Sequence, residues 1–313
     1  MITVLTLITA SGLLANITTI VTLTLNGNEF PTLGKILLQH QAVADSFVCL
    51  MAIVLYVQPF GWTTGNKTFD ILLCQIWHSQ AAYWAGAHIS IWGLVLIAME
   101  RFLMVKYTLR HRNMRPKHAY IGLAINYISC SIFIIPCYFQ ARYDYISGEC
   151  KGEYYYPSDG FWHFMAFYGV WWFVVEYSIQ VAIFVILYTK IVMSLRKRTK
   201  RHDEAEKELG LQTRNNEALS TAERQLTKMA IYVTIVFVMA LGPESWRYLL
   251  GRIGLITYDK YLLQLAMGIF PSALNSCANP FIYCMSLTIF RRSLKMTFGY
   301  EHPDYRVTRS NET

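Results

Sequence analysis

Seven apolar runs, each long enough to cross a lipid bilayer, constrain this chain more than any motif it carries. A hydrocarbon core of ~30 Å takes about 20 residues of helix. The runs lie near residues 2–25, 33–57, 72–105, 119–140, 162–193, 225–251 and 259–285. Inside lipid every backbone N–H and C=O needs an internal partner, and runs of this length meet that need as helices. A chain that is 54% hydrophobic and only 15% charged fits a membrane class, not a water-soluble one. The expected fold is an all-α membrane protein, a bundle of seven transmembrane helices. No internal repeat marks two duplicated halves, which weighs against one common transporter plan.

The net charge of +8 raises nucleic acid as a partner. Its distribution argues otherwise, because the basic residues crowd into short links between apolar runs. Lys106, Arg110, Arg112, Arg115 and Lys117 fill the link after run three. Lys190, Arg196, Lys197, Arg198, Lys200 and Arg201 follow run five, and Arg291, Arg292 and Lys295 follow run seven. The positive-inside rule puts all three links in the cytoplasm. Seven crossings then leave the N-terminus outside and the C-terminus inside, at the plasma membrane. The stretch Lys197–Glu223 is the one long polar linker, expected as helical extensions around a mobile middle. Met1–Leu25 lacks a basic leader and a cleavage site, so it is expected as a first span.

The opposite links share the outer side. Asn66-Lys67-Thr68 there is a glycosylation sequon. Residues Ala141 to Gly160 are acidic and aromatic, with Ser147-Gly148 as the turn signal of a short hairpin. Of seven cysteines, Cys74 and Cys150 alone reach this oxidising side, where a disulfide between them is expected.

Asn16, Asp45, Ser90, Asn275 and Asn279 are polar residues inside apolar runs. Asp45 is the costliest, since a carboxylate facing lipid costs several kcal/mol. The five are expected to meet in one buried pocket, fit for a cation or water. Glu100-Arg101 ends run three, and Glu223 opens run six on the same side. Arg offers a planar donor fork suited to a carboxylate, so the two acids are expected to share Arg101 in a latch. Pro243 and Pro280 interrupt runs six and seven and supply kinks.

In order and spacing these residues resemble the rhodopsin-like (class A) G-protein-coupled receptors over about residues 8–298. The resemblance rests on Asn16, Ala44-Asp45, Met99-Glu100-Arg101-Phe102, Tyr188, Phe237, Pro243, Asn275-Ser276, Asn279-Pro280-Phe281-Ile282-Tyr283 and Phe290-Arg291-Arg292. It implies a receptor domain over 1–298, with an amphipathic helix at 287–298, and a cytoplasmic tail at 299–313. It implies an extracellular ligand, a heterotrimeric G protein and arrestin as partners, with lipid around the bundle. The activation switch would comprise Glu100, Arg101, Tyr188, Glu223, Asn279, Pro280 and Tyr283, and span six would swing outward. Ile91, Phe237 and Pro243 would form a packing switch. Asp45, Ser90, Asn275 and Asn279 would hold a sodium ion.

The chain also departs from that family. Span six reads Ala240-Leu241-Gly242-Pro243 where the family has Cys-Trp-x-Pro. Gln180 stands in place of the span-five proline and Asn126 near the span-four Trp. Cys74 lies about two residues too far from Arg101, which calls for a bulge. Tyr83 occupies the position of the aminergic Asp, which argues against an amine ligand. Ala273 occupies the position of the retinal Lys, so no retinal is expected. The outer ends of the spans offer Gln80, Tyr83, Trp84, Glu176, Glu244, Arg247, Tyr248 and Gln264 as ligand contacts. Under an acidic hairpin, that mouth suits a peptide, and a basic one by charge.

No convergent nucleophile and base or metal-ligand spacing points to an enzyme; the histidines, His78, His88 and His163 among them, are scattered. A transporter or channel using Asp45, or a signalling-impaired receptor relative, stands as the alternative. A transporter would depend on Asp45 and be indifferent to Arg101.

Overall fold

The computed structural model describes residues 2–57, 63–152, 159–209, 214–256 and 268–300. The chain forms a seven-helix bundle. Span one is α1 (Ile2–Asn26) and span two is α2 (Thr32–Val57). Span three is built from α3 (Lys67–Leu73), a π turn (Cys74–His78) and α4 (Ala81–Lys106). A short α5 (Thr108–Arg112) leads to span four, which is α6 (Pro116–Phe133) and a 3₁₀ turn (Ile135–Phe139). The strands β1 (Ala141–Asp144) and β2 (Glu149–Gly152) follow. Span five is α7 (Asp159–Phe173), a second π turn (Val174–Ser178) and α8 (Ile179–Leu209). Span six is α9 (Arg214–Arg252), with Pro243 inside it. Span seven is α10 (Phe270–Ser286), with Pro280 inside it, and α11 (Thr288–Thr297) lies beyond. Among the described residues five helices, those of spans one to five, are long and apolar enough to cross a membrane by composition.

Spans one and two pack on each other, span two on three, and span three on the lower part of five. Spans six and seven are neighbours, and seven closes back on one. The main apolar core fills the half of the bundle around Arg101, where Ile91, Leu94, Phe184, Tyr188, Phe237 and Tyr283 belong to one buried cluster. A second core toward the opposite end gathers Leu5, Val48, Tyr56, Tyr83, Ile269 and Ala273 from spans one, two, three and seven.

The extra residues before Arg101 are taken up at the head of span three. The π turn inserts one, and Gln80, in the left-handed region at φ 59°, breaks the helix before α4 starts. Cys74 thereby reaches Cys150, and the two are disulfide-bonded. The hairpin carrying Cys150 pairs antiparallel, with Tyr143 opposite Cys150 and Asp144 opposite Glu149. Asp144 accepts from Ile146 N and Ser147 Oγ, both at 2.9 Å, and Gly148 takes the positive φ of 70° that closes the turn.

Candidate functional site

The polar residues buried at mid-membrane do converge. Asp45 is fully buried, and its two oxygens accept from Gln41 Nε2 at 3.1 Å, from Asn279 Nδ2 at 2.8 Å and from Ser90 Oγ. Gln41 Nε2 also donates to Ser90 Oγ at 2.9 Å. Sequence reasoning passed over Gln41, yet a signal was available: it precedes Asp45 by four residues, and so shares its helix face. Asn16 Nδ2 bonds the backbone of span seven at Ser276 O, 3.1 Å away, and not the carboxylate. Asn275 is buried, and among the described residues neither its Oδ1 nor Gln41 Oε1 has a donor. A buried carboxylate beside a hydroxyl is the kind of oxygen pair that suits a small cation, and the Gln41 and Asn279 amides meet it here through their nitrogens.

At the far end of span three Arg101 is 4% exposed, with Nε 3.3 Å from Glu100 Oε2. Glu100 Oε1 meets His111 Nε2 at 2.8 Å, so α5 supplies a partner that the sequence reading did not foresee. The side chain of Glu223 lies outside the described residues. Tyr188 and Tyr283 are buried in the same apolar cluster, and Tyr283 Oη has no hydrogen-bond partner among the described residues. Pro280 and Ile282 are buried in α10 between Asn279 and that tyrosine. One further tie crosses this end: Gln225 Oε1 of span six accepts from Thr288 N, at 3.1 Å, in the first turn of α11.

Between the two ends lies the packing centre. Phe237 is fully buried, 5.4 Å from the Phe184 ring, edge to face, and 6.3 Å from Tyr177, stacked. Leu241, where the family has Trp, lies one turn further out and lines a cavity with Ile91.

That cavity lies among spans three, four, five and six. Its walls include Trp84, Trp172, Glu176, Glu244 and Tyr248, with His88 and Gln140 among them. Four of the sequence-chosen contacts therefore meet here: Trp84, Glu176, Glu244 and Tyr248. Tyr83 does not. It is buried in the outer core, where its hydroxyl donates to Ile269 O at 2.8 Å. Gln80 is spent on the break in span three. Arg247 donates from Nε to Glu244 Oε2 at 2.8 Å, and its Nη2 lies 2.8 Å from the same oxygen in an ion pair. Gln264 lies outside the described residues. His88, Trp172 and Gln140 were not foreseen. His88 Nδ1 lies 2.8 Å from Glu176 Oε1, and the same oxygen accepts from Trp92 Nε1 at 3.1 Å. Nothing in the sequence links residues 88 apart on different helices.

Comparison with known proteins follows the same outline. A family model described as 7 transmembrane receptor (rhodopsin family) matches residues 15–283. Neuropeptide Y receptor type 6 of Mus musculus is 24% identical over 249 residues, covering 74% of this chain and 62% of that protein. The blue-sensitive opsin of Gallus gallus is 24% identical, covering 70% of this chain and 58% of the opsin. The green-sensitive opsin of Gallus gallus is 24% identical over 286 residues, covering 88% and 75%. The chain thus spans less than two thirds of the length of the first two of these relatives.

Proposed function

Because this chain belongs to the rhodopsin family of seven-transmembrane receptors, the class A G-protein-coupled receptors, we propose that it couples an extracellular peptide to a heterotrimeric G protein. The observation that carries this reading is the closed cytoplasmic end. Arg101 is withdrawn from solvent against Glu100, and the base of span six is tied to α11 through Gln225. Such an arrangement is one state of a two-state element, and a ligand that prefers the other state shifts the balance. Outward movement of span six would break the Gln225 tie and expose Arg101 to the G protein, with Glu223 as a second acid facing it. Tyr188 and Tyr283 would rearrange around the opened cleft, and arrestin would use the same face.

The route from ligand to cleft runs through Ile91 and Leu241, which line the cavity, to Phe237 just below. Leu241 offers bulk without the indole of the family pattern, so the signal is read as a shift in packing. A sodium ion at Asp45, Ser90 and Asn275 would favour the closed state by replacing the Gln41 donor. Ala273 offers no amine for retinal, which sets this chain apart from the opsins it resembles. The relative named a neuropeptide Y receptor supports a peptide. The acidic hairpin supports a basic one. The N-terminus would face the outside of the plasma membrane and the basic links the cytoplasm.

A screen of basic peptides against the full chain, read by a promiscuous G-protein reporter, tests this function. A response that disappears in Arg101→Ala supports it. Peptide-driven ion flux without G-protein response, lost in Asp45→Asn but kept in Arg101→Ala, would establish the transporter alternative instead.

A further inference from the structure

The cavity holds one acid whose charge is half satisfied. Glu176 is 4% exposed, and both of its close polar neighbours sit at Oε1: Trp92 Nε1 donates to it at 3.1 Å, and His88 Nδ1 lies 2.8 Å away. Its Oε2 is buried with no donor among the described residues. A buried carboxylate oxygen without a donor is costly, and a site that keeps one is arranged for a donor that arrives from elsewhere. The cations nearby on the chain are engaged. Arg247 holds Glu244 through two nitrogens, and the Arg252 guanidinium lies 4.7 Å over the Tyr248 ring.

The surroundings of Glu176 suit a positive charge as well. Trp84 and Trp172 meet edge to face at 5.7 Å, and Trp172 meets Tyr248 at 6.2 Å. All three line the cavity together with Glu176. Aromatic faces attract cations through their ring quadrupole, most strongly out of water. The helix geometry supports this placement. In a regular helix residues four apart drift by about 40° around the axis. The π turn at Val174–Ser178 lowers that drift, and Trp172, Glu176 and Gln180 stay near one inward face.

We propose that Oε2 of Glu176 anchors a cationic nitrogen of the ligand, an ammonium or guanidinium, within the aromatic wall of Trp84, Trp172 and Tyr248. The inference rests on the ligand-receptor reading above and narrows it: the ligand carries a basic group that enters the cavity. The position of the aminergic Asp is filled by Tyr83, which faces span seven. Span five provides the counter-charge instead.

The test uses the full chain in lipid nanodiscs, with phenethylamine, protonated at neutral pH, as probe and 2-phenylethanol as its neutral counterpart. Binding is read by thermal shift titration. The expected result is saturable binding of the amine, weakened at least about tenfold in Glu176→Gln. His88→Phe removes the imidazole that competes for the Glu176 carboxylate and is expected to tighten the amine several-fold, which keeps the test decisive if Glu176→Gln does not fold. Equal affinity of the amine for wild type and Glu176→Gln overturns the proposal. So does 2-phenylethanol binding as tightly, no saturable amine binding, or no gain in His88→Phe. Basal G-protein nucleotide exchange on the same samples reads the receptor function separately. Its absence with amine binding intact would sink that reading and leave the anchor standing.

Discussion

Arg101 is the residue on which the cytoplasmic end depends. Its guanidinium lies buried beside Glu100, whose other oxygen is held by His111. In Arg101→Ala the Glu100–His111 pair remains, so the fold is expected to survive while the surface offered to the G protein is lost. Nucleotide exchange should fall by about tenfold or more, equivalent to at least ~1.4 kcal/mol of lost coupling, with surface expression kept. Normal exchange would remove Arg101 from the switch. Gly93 matters for a different reason. A Cβ there would stand 2.5 Å from Gln41 Oε1, so the helices of spans two and three approach only because position 93 has no side chain. Gly93→Ala is expected to destabilise by roughly 1–3 kcal/mol, as overpacking does. Adding Gln41→Ala should recover part of that loss, because the two sites share one contact. Strictly additive losses in thermal unfolding would show that Gln41 does not occupy that space.

At the scale of elements, the two π turns and the left-handed Gln80 set which side chains face inward. They do this where a regular helix would have carried Cys74 or Glu176 elsewhere. The head of span three is further held by Asn66 Oδ1, which caps the N–H groups of Thr68 and Phe69 at 3.1 and 3.3 Å. Asp70 folds back on Thr64, accepting from its N and Oγ1 at 2.7 Å. The Cys74–Cys150 bridge joins this head to the hairpin across a separation of 76 residues. Chain entropy assigns such a cross-link roughly 4 kcal/mol. Cys74→Ser should therefore lower thermal stability and surface yield sharply, and a variant melting with wild type would contradict that role. Span six meets α11 through Gln225. A bond of this kind contributes about 1 kcal/mol, or roughly fivefold in an equilibrium. Gln225→Ala is expected to raise basal exchange by up to that factor at matched expression. An unchanged or lower basal rate would mean that the tie does not hold the closed state.

For the whole molecule the decisive property is sidedness. If the basic links face the cytoplasm, Asn66 faces the outside, where its exposed amide is open to glycan transfer. Expression in a glycosylating cell should give a band that shifts on deglycosylation, and Asn66→Gln should abolish the shift. Cytoplasmic labelling of a cysteine placed at position 66 would invert the whole orientation. The seven-helix bundle and the bridging of Cys74 to Cys150 were legible in the sequence. Hydropathy and charge act on each segment separately, so they survive projection onto one dimension. The meeting of Asp45, Ser90 and Asn279 was legible too, because polar groups in lipid have few places to go. The sequence alone did not reveal that Tyr83 turns away from the cavity. Nor did it reveal that His88 and Trp92 crowd one oxygen of Glu176, or that Gln225 reaches α11. Those outcomes depend on the rotation and depth of each helix. Side-chain packing between helices sets both, and only the tertiary structure brings residues 88 and 176 within 2.8 Å.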